Sequence, residues 1–182
     1  QDSVSDPFVP QVPQLSEPPV SNFTPPAPSS GSGQTWTIML YQDADDQVLE
    51  KDIFVDFNEA ERVGSSDAVR IVSQIDRFAG AYQGDGNWTG ARRYFLTQDS
   101  DLNRINSQVA EDLGEVDMSD GQALVDFIQW SAANFPADHY VLILSDHGLG
   151  WPGGWSDPAP GGFESNNSPL ASRLGQNIYL NE

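Results

Sequence analysis

The stretch His139-Tyr-Val-Leu-Ile-Leu-Ser-Asp-His-Gly-Leu-Gly-Trp151 decides the fold. Residues 140–144 form an unbroken apolar run bounded by turn-forming residues. Such a run predicts a strand that is buried on both faces, as in a parallel sheet covered by helices. Active sites in these sheets collect at the carboxyl ends of the strands. His147 lies at such an end, and we take it as a candidate general base that would act on a nucleophile.

The chain before this stretch alternates between strand and helix patterns. Apolar runs predict strands at residues 35–41 and 68–75, and residues 92–97 form a less apolar strand nearer a sheet edge. Helical spacing of apolar residues is found over residues 49–60, closed by Gly64, and after a Ser119 or Asp120 cap up to Pro136. Residues 98–118 are acidic and irregular. The order of these elements predicts an α/β sheet with right-handed crossovers.

The first 34 residues are predicted to lie outside the folded domain. They hold most of the 13 prolines and few apolar residues, so they cannot bury enough surface to offset the entropy of ordering. Residues 1–34 therefore form a disordered or polyproline-like leader or linker. Residues 35–182 form one domain, which we expect to be incomplete because residues 176–182 begin an element that the chain does not finish. No apolar run reaches membrane-spanning length.

The charge balance and the lack of cysteine limit the partners of this chain. There are 27 acidic residues against 8 basic ones, for a formal net charge of -19. Phosphate binding needs clustered Lys and Arg, so nucleic acid is excluded as a partner. The acidic balance suits the steering of basic peptides or, alternatively, solubility in a salty or extracellular medium. Because there is no Cys, disulfides and thiolate metal sites are excluded.

Several pieces between Thr35 and Trp151 resemble the clostripain family of cysteine peptidases in their order and spacing. The resemblance implies a caspase-like three-layer sandwich, with a mostly parallel sheet flanked by helices. The matching pieces are Trp36-Thr-Ile-Met-Leu-Tyr-Gln-Asp-Ala-Asp45, Asp56-Phe-Asn-Glu59, Gln74-Ile-Asp-Arg77, Arg92-Arg-Tyr94, Leu113-Gly-Glu-Val-Asp-Met118, Phe127-Ile-Gln-Trp130, Phe135-Pro-Ala137 and Asp146-His-Gly-Leu-Gly-Trp151.

The resemblance also implies a catalytic dyad. In that family a His follows one sheet strand and a Cys follows the neighbouring strand, later in the sequence. His147 matches the histidine position, and the backbone N–H of Gly148 would help to hold the oxyanion. Since this sequence has no Cys, we expect the histidine-bearing part of a cysteine endopeptidase that cuts after Arg or Lys. A non-catalytic caspase-like binding or scaffolding domain is the alternative, in which local hydrogen bonds satisfy His147.

Further candidate residues lie at the same predicted edge of the sheet. Asp43, Asp45 and Asp46 form an acidic loop that could bind calcium, an ion associated with this family, although the spacing does not fit an EF-hand. A solvated loop is the alternative, and we assign no residue as a definite metal ligand. Asp43, Asp76 and Trp151 are candidate substrate-cleft residues. For Asp76 with Arg77 the alternative is a structural ion pair, and for Trp151 it is a lid over the core.

The resemblance implies processing and export as well. Several family members cut themselves between the His and the Cys, and Arg173-Leu174 lies in a stretch that we expect to be flexible. Arg173 is therefore a candidate self-processing site, with a solvated loop arginine as the alternative. The expected partners are a peptide or protein substrate and a Cys-bearing segment of the same enzyme. We expect an extracellular or cell-envelope location in a bacterium.

Overall fold

The computed structural model describes residues 23–27, 33–147, 155–156 and 177–178. One five-stranded sheet contains β1 (Trp36–Ala44), β2 (Val69–Arg77), β3 (Ala91–Phe95), β4 (Gln108–Gly114) and β5 (His139–Ser145). The helices are α1 (Glu50–Val63) and α2 (Gly121–Asn134), and Gly84–Asn87 form a 3-10 turn. Trp155–Ser156 (β6) and Asn177–Ile178 (β7) form a separate antiparallel pair.

The strand order in the large sheet is β4-β3-β2-β1-β5. The β1 strand pairs in parallel with β2 and β5, whereas the β2–β3 and β3–β4 pairs are antiparallel. The predicted α/β class is confirmed. The prediction that residues 140–144 are buried on both faces is wrong, because Ile143 and Leu144 are 45% and 42% exposed. A short apolar run does not distinguish a central strand from an edge strand, and here β5 lies at the end of the strand order.

Helices cover both faces of the sheet. Successive residues of a strand point to opposite faces. On one face Tyr41 packs in a cluster with Phe127 of α2, and on the other Leu40 packs in a cluster with Ile53 and Phe57 of α1. The result is a three-layer sandwich around β1 and β2. Within the described ranges, no helix has the length and apolarity that a membrane span requires.

The predicted helical stripe of α1 is confirmed, but its buried side also carries two acids. Glu50 and Glu61 are fully buried at opposite ends of the helix. Glu61 Oε1 accepts a hydrogen bond from the backbone N of Ser107 over 2.8 Å. Burial raises the pKa of both carboxyls above their usual range. The sequence pattern missed this arrangement because charged residues are normally placed on the solvent face.

Gly64 ends α1, as its position in the sequence predicts. Its backbone has φ 64° and ψ 179°, a conformation that is essentially restricted to glycine. A Cβ at this position would lie 2.3 Å from the backbone N of Gln98, in the connection between β3 and β4. The glycine therefore allows the end of α1 to approach that connection closely.

Asp138 and Thr35 clasp the amino ends of β5 and β1 together. Asp138 Oδ2 accepts from the backbone N (2.8 Å) and Oγ1 (3.0 Å) of Thr35, and the backbone N of Asp138 donates to Thr35 Oγ1 (3.0 Å). The hydrogen bonds from the Thr35 backbone and side chain hold the pKa of Asp138 below its usual range. Beside this clasp, Trp36 stacks on His139 with ring centroids 4.4 Å apart.

Residues 98–118 are not irregular throughout, since they contain β4, and that prediction is wrong. The acids of β4 pair with arginines of β3: Arg92 Nε lies 2.9 Å from Asp112 Oδ2, and Arg93 lies 2.9 Å from Glu111 Oε2. Cross-strand charge pairs can support a strand that lies at a sheet edge. We predicted strands from apolar patterns, and β4 forms at the sheet edge without such a pattern.

Part of the predicted leader contacts the domain. The Phe23 ring lies 6.1 Å from that of Phe135 and 6.3 Å from that of Phe95, between centroids. Arg70 also donates a 2.6 Å hydrogen bond to the backbone O of Ala27. The sequence did not predict these contacts. The domain boundary at residue 34 stays a prediction.

Candidate active site

Most candidate residues lie at or just after the carboxyl ends of β2, β1 and β5, which run in parallel and end at one edge of the sheet. In the sheet register Asp43 lies beside Asp76, and Gln42 lies beside Ser145. Asp46 and His147 come just after the last paired residues of β1 and β5. The carboxyl ends of neighbouring parallel strands meet at the same edge, so the loops that follow β1 and β5 are neighbours.

His147 contacts Asp46 across the boundary between β5 and β1. Its Nε2 lies 3.2 Å from Asp46 Oδ2, and its backbone N–H donates to Asp146 Oδ1. The His147 side chain is 53% exposed, whereas that of Asp46 is 13% exposed. The structure therefore places an accessible imidazole against a shielded carboxylate, an arrangement suited to proton transfer.

Asp46 is fixed by the turn that leads into α1. Its Oδ1 accepts from the backbone N of Val48 (2.7 Å) and of Leu49 (2.8 Å), and its backbone O accepts from Glu50 N (3.0 Å). Aspartate commonly closes turns in this way. We predicted Asp46 only as part of a metal-binding or solvated loop and missed its contact with His147. The strand order would have revealed the contact, since β1 and β5 are neighbours.

Asp43 and Asp45 are buried, at 1% and 3% exposure. Asp43 Oδ1 accepts from the backbone N of Asp45 over 3.3 Å. In the part of the chain that the structure describes, no three His, Cys, Asp or Glu side chains are placed to hold a metal ion together. Calcium binding by this loop stays a prediction, whereas the solvated-loop alternative is wrong for Asp43 and Asp45. A role for Asp43 in substrate binding stays a prediction.

Arg77 forms a buried ion pair, but its partner is Glu50 and not Asp76. Arg77 Nε lies 2.8 Å from Glu50 Oε1, and neither side chain is more than 1% exposed. The guanidinium also donates to the backbone O of Tyr82 (2.8 Å) and of Gly84 (3.2 Å), while Glu50 Oε2 accepts from Tyr82 N (2.6 Å). The pair thus fixes the connection after β2. Asp76, fully buried, accepts from the backbone N of Arg77, and its cleft role stays a prediction.

Three further candidates lie outside the described residues. Gly148, Trp151 and Arg173 all follow His147, the last residue described before β6. The predictions of an oxyanion contact, a cleft wall and a self-processing site stay predictions.

A comparison of the sequence with known families identifies the family of this chain. Residues 40–160 match the sequence model of the clostripain family, peptidase family C11. The chain belongs to the clostripain family. The resemblance found in the sequence is thus confirmed, and the family is one of cysteine peptidases.

Individual relatives agree with this assignment. Clostripain from Hathewaya histolytica is 28% identical over 134 residues, which are 67% of this chain and 25% of that protein. The chain thus spans about a quarter of the length of that curated relative.

Solved structures are similar in fold. A clostripain from Bacteroides thetaiotaomicron ATCC 29148, in complex with the peptide inhibitor BTN-VLTK-AOMK, matches with a TM-score of 0.50 and 16% identity, over 65% of this chain and 94% of that chain. A B. fragilis cysteine protease matches with a TM-score of 0.49 and 18% identity, over 64% of this chain and 92% of that chain. The Bacteroides thetaiotaomicron structure supports the caspase-like fold predicted from the sequence.

Proposed function

We propose that this chain carries the catalytic histidine of a clostripain-type cysteine endopeptidase. The nucleophilic Cys would come from outside the chain, because the 182 residues contain none. The observation that carries the proposal is the accessible His147 imidazole at the carboxyl end of β5, held against Asp46. Membership of a family of cysteine peptidases supports it.

The chemistry proceeds in two stages. His147 takes the proton of the Cys thiol, and the thiolate sulfur bonds to the carbonyl carbon of the substrate. Backbone N–H groups, for which we propose that of Gly148, hold the negative carbonyl oxygen. The imidazolium gives its proton to the leaving amine as the C–N bond breaks. A water molecule, deprotonated by His147, then releases the acyl group and restores the thiol.

We further propose cleavage after Arg or Lys. The net charge of -19 supports this preference, since an acidic protein attracts basic peptides. The Bacteroides thetaiotaomicron clostripain was solved with an inhibitor that contains a Lys, which also fits. In the same proposal the enzyme acts outside the cell or in the cell envelope, and it matures by self-cleavage at Arg173.

The test uses the full-length protein with its Cys-bearing segment and fluorogenic peptides that differ in the residue before the cleaved bond. We expect cleavage after Arg or Lys, and a loss of at least about a hundredfold in kcat/KM for His147→Ala. His139→Ala is the matched control, because His139 begins the same strand at the opposite end. That variant should keep near-normal activity.

The outcomes separate the parts of the proposal. An intact protein that cleaves none of the peptides would favour the non-catalytic scaffolding alternative. Normal activity of H147A would remove the histidine from the mechanism. Cleavage after acidic or apolar residues would refute the specificity alone. Mass spectrometry of the mature protein checks Arg173, since a chain uncut there, or cut equally in H147A, refutes self-processing.

A further inference from the structure

The two carboxylate oxygens of Asp46 have different partners. Oδ1 accepts from the backbone N of Val48 and of Leu49, at 2.7 and 2.8 Å, and Oδ2 lies 3.2 Å from His147 Nε2. The carboxylate cannot rotate without breaking the hydrogen bonds of the turn. Its side chain is 13% exposed, so little water can replace His147 as the partner of Oδ2.

The position of Oδ2 decides which ring nitrogen carries the proton when His147 is neutral. A carboxylate oxygen only accepts hydrogen bonds, so a hydrogen bond between these two atoms requires Nε2 to be the donor. A neutral imidazole has a single N–H, and its other nitrogen is an acceptor. A hydrogen bond from Nε2 to Asp46 would therefore leave Nδ1 of His147 as the basic nitrogen.

We propose that Asp46 is the positioning residue of this peptidase. It holds neutral His147 in the form protonated at Nε2, so that Nδ1 faces the Cys and accepts the thiol proton. The imidazolium that results donates a charge-assisted hydrogen bond to Asp46, which stays ionised throughout. This inference rests on the proposed function, because it assigns Asp46 a part in the same reaction.

Asp146, the residue before His147, provides a control. Its Oδ1 accepts from the backbone N–H of His147. Asp146→Asn keeps an oxygen acceptor for that backbone bond. It removes one negative charge beside the histidine without changing the partner of Nε2, so it tests whether charge alone matters.

Two substitutions at position 46 separate the turn from the histidine contact. In Asp46→Asn the amide oxygen is expected to stay with the turn, which needs an acceptor, and the amide NH2 then faces His147 Nε2. A donor there favours the form of the ring protonated at Nδ1, which cannot accept the thiol proton. In Asp46→Ser the hydroxyl can still close the turn, but it is too short to reach the ring.

We expect D46N to lower kcat of the complete enzyme by about a thousandfold or more, by analogy with the loss of the orienting carboxylate in other histidine-dependent proteases. D46S should lower kcat by about ten- to a hundredfold, and D146N by less than about threefold. KM should change little, because Asp46 does not contact the substrate. Thermal unfolding should show that D46N and D46S fold as the parent does.

A second readout follows the ring directly. In 15N spectra of histidine-labelled protein recorded over a pH series, the neutral form of His147 should show a protonated Nε2 in the parent and a protonated Nδ1 in D46N. A parent protonated at Nδ1, or a D46N enzyme with normal kcat, overturns the inference. If H147A is inactive while D46N is active, the proposed function stands and the role of Asp46 falls. If H147A is active, the proposed function itself fails.

Discussion

The buried pair of Arg77 and Glu50 holds the first turn of α1 to the end of β2, and its loss should be costly. Arg77→Met keeps an apolar stem near the rings of Phe54 and Trp88, which lie 5.2 and 4.7 Å from the guanidinium carbon. It leaves the Glu50 carboxylate buried without its cation. Removing one partner of a buried pair costs about 3–5 kcal/mol, and we expect R77M to lose that much free energy of unfolding at about pH 8.

A second substitution separates the cost of the unpaired Glu50 charge from the cost of the lost Arg77 packing. In the double variant R77M/E50Q the side chain at position 50 is neutral, yet its amide oxygen can still accept from Tyr82 N. The penalty for a buried, unpaired charge is then absent. The double variant should therefore be more stable than R77M by about 2 kcal/mol, although it carries one more substitution.

The difference in free energy of unfolding between R77M and R77M/E50Q should also depend on pH. Burial raises the pKa of Glu50 above 4.5, while the hydrogen bond from Tyr82 and the proximity of Arg77 lower it. Without Arg77 the pKa of Glu50 rises further. At pH values between the pKa of Glu50 in the unfolded chain and its higher pKa in the folded chain, the folded chain binds a proton at Glu50 that the unfolded chain does not. The stability of R77M therefore falls as pH rises through this window, and the difference between the two variants narrows as pH falls through it.

Denaturant unfolding followed by circular dichroism and tryptophan fluorescence measures all four proteins at each pH. The parent defines the stability scale, and E50Q alone completes the double-mutant cycle. If R77M lies within about 1 kcal/mol of the parent, the value typical of exposed pairs, our reasoning about burial is refuted. A double variant no more stable than R77M would refute the reasoning about charge.

Two other predictions concern the backbone and the amino-terminal segment. Gly64→Ala should lose about 2–4 kcal/mol of free energy of unfolding, because a Cβ at φ 64° and ψ 179° would clash with the backbone of the β3–β4 connection. Gly121→Ala is the control, because nothing lies within 4 Å of a Cβ at that position. Its free energy of unfolding should stay within about 0.5 kcal/mol of that of the parent. Equal melting temperatures for the two variants would contradict this. Phe23→Ala should lose about 1–2 kcal/mol through its ring contacts with Phe95 and Phe135, and an unchanged unfolding curve would show that the contact contributes nothing.

The elements that sequence patterns predicted well are those with local signals. α2 begins after Asp120, whose side chain accepts from Gln122 N, as the predicted cap requires. Gly64 ends α1 as predicted. β4 was missed because its charged residues find partners only across the strand pair, such as Arg92 with Asp112. No local pattern carries information about a partner on another strand.

The site was predicted in part for the same reason. The apolar run of β5 placed His147 at a strand end without any knowledge of the other strands. Its partner Asp46 lies about a hundred residues earlier in the sequence and becomes a neighbour only because β5 pairs with β1. The burial of Asp43 and Glu50 was likewise unpredictable, since it depends on the layers above and below the sheet.

The clasp between Thr35 and Asp138 has a consequence for the far end of the same strand pair. A β-strand is nearly inextensible at about 3.3 Å per residue, so the extended segment from the clasp at Asp138 to His147 spans up to roughly 30 Å, most of it in β5. A slip of one residue at the clasp would carry the imidazole about 3.3 Å along the strand and turn every side chain of β5 to the opposite face of the sheet. The position of His147 along β5 is thus set in part at the opposite edge of the sheet, by the hydroxyl of Thr35 and the carboxylate of Asp138.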